Sequence, residues 1–385
     1  MYNFDQEINR RGTNCVKWDK IDKDVIPLWI ADMDFACLPE VTEAISYRAS
    51  HPIYGYSFAS DKTYQLIVNW YKTNHNVCIN PNEIVLNTGV VYSLYQIISL
   101  FVNSDEKIII QPPVYPQFKE VARLLNREVV LNPLIKTAHG YQLDFEGFEQ
   151  CLQQDNKIKL FILCNPHNPI GKCYSLEEIN RLAQICQKHN VILVSDEIHS
   201  DIILADNKHY SALLADQKYQ DNIIVLSSAT KTFNLAGLKM SFTIIRNEQM
   251  RQKYVSHGDK CGLTAVNIFA IEAYNAAYSY GKQWSKEVNE YIYNNFLLLK
   301  QFIDQKMNKI KFEIPQATYM GWLDFSELNI QGNLNERLLK EAKLFMSDGK
   351  NFYDKCGSYQ RINVACSKAV LLEALDRLYN WYQTL

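Results

Sequence analysis

Six short apolar runs recur along the chain, and their repetition limits the folds open to it. They are "EIVLNTG" (83–89), "KIIIQPP" (107–113), "IKLFILCNP" (158–166), "VILVSDE" (191–197), "IIVLSS" (223–228) and "SFTIIRN" (241–247). Their interiors are nearly unbroken Ile, Val and Leu rather than alternating, as expected of strands covered on both faces. Amphipathic stretches lie between them. Val91, Leu94, Tyr95 and Ile98 follow helical spacing, and Ser175 with Glu178 makes a capping-box pattern that opens a helix over 176–189. This alternation predicts an α/β fold with a mostly parallel sheet flanked by helices.

The ends of these runs are polar: Thr88-Gly89, Pro112-Pro113, Asn165-Pro166, Asp196-Glu197 and Ser227-Ser228. Open α/β sheets bind ligands outside the carboxyl ends of their strands, so these residues are expected to gather at one edge. After about residue 281 the pattern changes to a long helical stretch, short strand-like pieces at 321–325 and 360–366, and a closing helix. We read three units: an N-terminal segment over 1–45 packing with the small domain, a large domain over 46–285, and a smaller α/β domain over 286–385.

Composition excludes several classes. A formal charge of −2 offers no basic footprint for nucleic acid. The polar, charged N-terminus does not resemble a secretory signal, and no run of about 18 apolar residues suggests a membrane span. The 10 cysteines include no C-x-x-C pair, which fits reduced thiols in a cytoplasmic protein better than disulfides or zinc. G-x-G-x-x-G, Walker A, H-E-x-x-H and G-x-S-x-G patterns are all missing, and no histidine has metal-ligand spacing, so no metal is expected.

The most telling stretch is "LSSATKTFNLAG" (226–237), where Lys231 follows a buried run inside a hydroxyl-rich turn. Most lysines are solvated surface charges. One desolvated at a strand end has a lowered pKa and a free amine suited to imine formation, for which pyridoxal phosphate is the obvious partner. That cofactor needs a carboxylate at its ring nitrogen, and Asp196 can supply one, although a strand-end Asp can also merely cap a turn. Its phosphate needs backbone N–H groups at a helix start, as Gly89, Val90 and Val91 could offer, with the Ser228 hydroxyl and Lys239 nearby. Tyr115 could stack on the ring or bond to it, and Asn168 could donate to its oxygen; the Asn-Pro pairs around Asn168 could equally serve only as stiff turns.

Carried further, "PLWIADMDF" (27–35), "IYGYS" (53–57), "TGVV" (88–91), "IQPPVYPQF" (110–118), "LCNPHNPIGK" (163–172), "VSDEIHSDI" (194–202), "TKTFNLAGLK" (230–239) and "RINVAC" (361–366) resemble, in order, the signatures of fold-type I pyridoxal-phosphate enzymes. This is the aspartate aminotransferase superfamily, and the chain most closely resembles its branch of cystathionine β-lyases and cysteine-S-conjugate lyases. The resemblance implies a seven-stranded sheet and a cytoplasmic homodimer with shared active sites. It implies that Lys231 holds the cofactor aldehyde as an imine and later moves the substrate's α-proton. Asp196 would pair with the ring nitrogen, Asn168 with the ring oxygen, Tyr115 would stack over one face, and His199 would lie near the other. Gly89, Val90, Val91, Ser228 and Lys239 would surround the phosphate, and Tyr56 would reach the phosphate of the neighbouring subunit. Arg361 would clamp the substrate carboxylate, with the backbone at Ala31 beside it. Two departures stand out: Thr230 where the branch has Ser, and no Pro-Gly turn in "FMSDGKNFYDKCGSYQ" before Arg361.

The reaction these residues imply is β-elimination from cystathionine or another cysteine S-conjugate, giving a thiol, pyruvate and ammonia. Transamination would use the same lysine, aspartate and arginine, and a regulatory, partner-binding role is a third reading.

Overall fold

The computed structural model describes residues 2–138, 140–262 and 265–385. Its centre is a seven-stranded sheet. The strands are β1 (Ile84–Asn87), β2 (Lys107–Ile110), β3 (Glu128–Leu131), β4 (Ile158–Cys164), β5 (Ile192–Asp196), β6 (Ile223–Ser227) and β7 (Ser241–Ile245), in the order β1-β7-β6-β5-β4-β2-β3. Strand β7 runs antiparallel to both neighbours, and all other pairs are parallel.

The unbroken apolar runs have the predicted cause. Along β2, Ile109 packs into the core on one face while Ile108 and Ile110 pack into the core on the other. Each such side chain, fully withdrawn from water, contributes on the order of 2 kcal/mol. The sequence reading missed β3. It is one of the two edge strands, and unlike β1 at the other edge it is poorly covered, with Glu128 exposed, Leu131 partly so, and Val129 and Val130 half-buried. A sheet edge needs less apolar surface, so its pattern is faint.

The helix predicted after β1 spans Val90–Phe101, but its buried stripe differs from the expected one. Val90, Leu94, Ile97 and Ile98 face the core, whereas Val91 and Tyr95 are 37% and 42% exposed. Their side chains line a cavity instead, so their apolar character reflects that cavity and not the sheet. The Ser175–Glu178 capping box forms as read and opens the helix Leu176–Lys188.

Further along, helix Lys282–Lys306 leads into a three-stranded antiparallel sheet of β8 (Met320–Asp324), β9 (Ser347–Asp348) and β10 (Tyr359–Asn363), ordered β8-β10-β9. The closing helix is Lys368–Tyr382. Near the N-terminus, Ile26–Pro27 pairs in parallel with Leu344–Phe345. The following segment, 28–35, is pinned from two sides. Asn363 Nδ2 donates to the carbonyls of Ile30 and Asp32, both at 2.8 Å, while Asn234 Nδ2 donates to Met33 O at 3.1 Å and Phe35 O at 2.8 Å. Among the described residues, no helix is long and apolar enough to cross a membrane.

Candidate active site

In register, Cys164 on β4, Asp196 on β5 and Leu226 on β6 stand side by side. The polar residues just beyond them therefore emerge together at the carboxyl edge, where a cavity of about 660 Å³ opens. Its wall carries Ala31, the Gly89–Val91 turn, Tyr115, Asn168, Asp196, His199, Ser228, Lys231 and Lys239. The sequence reading had scattered these residues over more than two hundred positions, and the fold brings them to one place.

Lys231 lies in the short helical turn Ala229–Thr232, and its Nζ donates to Ala31 O at 2.5 Å. Burial lowers its amine to about 8, with Asp32 and Asp196 opposing the shift and Arg361 and Lys239 reinforcing it. Asp196 is 4% exposed, and burial raises its carboxyl to about 7 even though Ile198 N–H donates to Oδ1 at 3.2 Å. His199 is pushed down to about 3 by burial and by the nearby Lys231 and Arg361 cations, so it is a neutral imidazole, and its Nδ1 has no partner among the described residues. Tyr115 is raised to about 12 by burial and by Asp196, which keeps its hydroxyl protonated.

Arg361 does not line the cavity wall itself but reaches it through Asn168. Its Nη1 donates to Asn168 Oδ1 at 3.0 Å, and its Nη2 donates to Trp29 O at 2.7 Å and Ser347 Oγ at 3.1 Å. The guanidinium also stacks over Phe352, with Cζ 4.8 Å from the ring centre, and its Nε has no partner. Tyr56 is not brought to this cavity. It is fully exposed on the surface of the chain.

The missing Pro-Gly turn has a structural substitute. Asp348 Oδ1 accepts from Lys350 N at 3.0 Å and so caps the turn Gly349–Asn351. A Cβ on Gly349 would stand 2.1 Å from Cys356 O, so the glycine is required even without the proline.

Sequence reasoning missed several residues at the site. Ser228 Oγ lies 2.6 Å from Tyr274 OH and donates to Met240 O at 2.8 Å, so Tyr274 fixes the hydroxyl expected to face the phosphate. Asn234, Ser347 and the Trp29 carbonyl act through contacts across the chain that no local pattern announces. Asn234 alone left a trace, being an Asn just after the turn, a residue type that tolerates its φ of +59°.

These residues fit pyridoxal phosphate. Asp196 is a buried carboxylate beside the cavity whose one hydrogen bond among the described residues comes from a backbone N–H, which leaves room for a protonated ring nitrogen. Gly89 has φ of +154°, and a Cβ there would point into open space at the start of the helix, as a phosphate cradle requires. Lys231 supplies a desolvated amine for the aldehyde.

The comparisons agree with this geometry. Residues 23–378 match the family model "Aminotransferase class I and II". The chain belongs to that family. It is 36% identical to the cystathionine beta-lyase PatB of Bacillus subtilis (strain 168) over 382 residues, 98% of each chain. Among solved structures, cystalysin from Treponema denticola, which contains pyridoxal 5'-phosphate, superposes with a TM-score of 0.96 at 27% identity, covering 100% of this chain and 99% of that one. The PLP-bound C-S lyase from Staphylococcus hominis gives a TM-score of 0.93 at 31% identity, covering 99% and 98%.

Proposed function

We infer that this protein is a pyridoxal-phosphate-dependent carbon–sulfur β-lyase, cleaving cystathionine or a related cysteine S-conjugate to a thiol, pyruvate and ammonia. One observation carries the reading. A cavity walled by a desolvated lysine and a buried carboxylate, with an arginine fork held behind Asn168, lies in a chain similar, end to end, to a cystathionine beta-lyase.

Bound pyridoxal phosphate supplies an electron sink for the pair left when the substrate's α-C–H bond breaks. The protein's residues supply everything else. Lys231, with an amine lowered to about 8, can hold a lone pair near neutral pH and take the α-proton as general base. Asp196 keeps a negative charge against the ring nitrogen. Asn168 faces the ring oxygen while holding Arg361 Nη1, so the two binding tasks are mechanically linked. The Arg361 fork receives the α-carboxylate, a role suited to a planar guanidinium. Tyr115 and His199 line the cavity where they would cover the two faces of the ring, and Gly89, Val90, Val91, Ser228 and Lys239 would hold the phosphate.

The same reading makes the protein a cytoplasmic homodimer, with Tyr56 completing the phosphate site of the partner. All ten cysteines are free and Tyr56 stands exposed, in support of both points. It also assigns cofactor binding to 46–285, the arginine to a smaller unit over 286–385, and a bridging role to 1–45. The deciding experiment supplies purified protein with L-cystathionine and follows pyruvate. Pyruvate release is expected. No pyruvate, with amino transfer to an added 2-oxo acid, would overturn the lyase reading in favour of transamination.

A further inference from the structure

Behind the Lys231 turn lies a buried carboxylate to which the reaction assigns no task. The side chain of Asp201 is 8% exposed and gathers three partners from distant parts of the chain. Trp70 Nε1 donates to Oδ1 at 2.9 Å, His75 Nε2 lies 2.9 Å from the same oxygen, and Thr232 Oγ1 donates to Oδ2 at 2.9 Å. The Asp201 carbonyl accepts from Asn289 Nδ2 at 2.7 Å. Thr232 is the residue after Lys231 and is 1% exposed. A buried threonine hydroxyl costs more to desolvate than the matching valine methyl unless it has a partner, and Asp201 is that partner.

The neighbours of Thr232 are held differently. Phe233 packs against Trp70, Tyr278 and Trp284 with ring centres 5.6, 6.2 and 5.8 Å away. Asn234 binds the 33–35 backbone. Those grips fix the chain after the turn. Ser228 caps the start of the turn carrying Lys231 through Thr230 N, and the Thr232–Asp201 bond holds its other end, fixing the turn relative to the loop bearing His199, two residues before Asp201.

We propose that Asp201 is a positioning residue for Lys231, orienting the lysine-bearing turn through the Thr232 hydroxyl so that the amine meets the cofactor aldehyde. The proposal rests on assigning the cavity to pyridoxal phosphate, not on the fate of the substrate. It predicts a split between two cofactor forms. Pyridoxal phosphate would condense through its aldehyde with the neutral Lys231 amine, a C=N bond replacing C=O and the oxygen leaving as water. Pyridoxamine phosphate, having no aldehyde, would fill the same cavity without bonding to the lysine.

The test compares both forms on cofactor-free wild-type protein and variants, following visible absorbance for the first and equilibrium affinity for the second. Thr232→Val keeps the shape and removes the hydroxyl. It should slow development of the coloured lysine complex roughly tenfold while changing the pyridoxamine phosphate Kd less than about twofold. Thr232→Ser should restore the rate. Asp201→Asn should stay near wild type, because its amide can donate to the Thr232 oxygen, and Asp201→Ala should behave like Thr232→Val. Capture at the wild-type rate by Thr232→Val, a parallel loss of affinity for both forms, or no rescue by serine would each overturn the proposal. A protein that binds both forms normally yet releases no pyruvate would count against the lyase reading and leave this one standing.

Discussion

Burial lowers the Lys231 amine to about 8 and raises the Asp196 carboxyl to about 7, so both groups titrate within a narrow range. Reaction with an aldehyde needs the neutral amine. Capture of pyridoxal phosphate by cofactor-free protein should therefore accelerate as pH rises through about 8, not near the 10.5 of an ordinary lysine, and rapid-mixing absorbance measures that midpoint. Asp196 has the opposite consequence for stability. Its folded pKa lies above its unfolded value, so its favourable contribution is complete below about 4 and is lost as pH rises through about 7. At pH 8 the cofactor-free protein then buries an unpaired charge. Asp196→Asn should stabilise that form by on the order of a few kcal/mol, at about 1.4 kcal/mol per pKa unit, and so raise its Tm. The same variant should lose most lyase activity once loaded, since an amide cannot hold the ring nitrogen protonated. Greater stability with lower activity is the combined result expected.

At the scale of elements, what was legible followed from burial. The five interior strands and the edge strand Ile84–Asn87 announced themselves because their side chains are largely covered, and the polar ends of the interior strands pointed to Asp196, Asn168 and Lys231. The edge strand Glu128–Leu131 was silent because half of it meets water. Val91 and Tyr95 showed helical spacing without showing which way they face, because an apolar cavity wall and a core stripe have the same spacing. Asp201 and Tyr274 were invisible because their partners lie far along the chain. The turn 349–351 offers a test at this scale. Gly349→Ala would drive a Cβ against Cys356 O, and the displaced turn carries Phe352, which stacks on Arg361. A close contact of that kind costs typically about 1–3 kcal/mol. The expected outcome is a lower Tm and a raised KM with a smaller change in kcat, because the disturbance reaches carboxylate binding before it reaches the lysine. By contrast, Ser175→Ala removes only the cap of the helix that begins at Leu176, at an exposed residue outside the cavity wall, and should cost about 1 kcal/mol of stability with kcat unchanged.

For the whole molecule, the open question is what covers the surface around residues 47–58. Tyr47, Ile53, Tyr54, Tyr56 and Phe58 are each more than half exposed, an apolar density that isolated soluble chains avoid. A second copy of the chain is the occupant proposed here, and its placement makes a sharp prediction about Tyr56. If Tyr56 completes the partner's site, Lys231→Ala and Tyr56→Ala damage different sites of a mixed dimer in a calculable way. One site receives both substitutions. The other combines an intact Lys231 from the Tyr56→Ala chain with an intact Tyr56 from the Lys231→Ala chain. Random reassociation makes half the dimers mixed, each with one whole site, so mixing two nearly inactive proteins should recover about a quarter of wild-type activity. Pyruvate release before and after unfolding and refolding the two variants together measures that recovery. If Tyr56 served its own chain, or the protein worked as a monomer, each site would keep a defect and mixing would recover nothing.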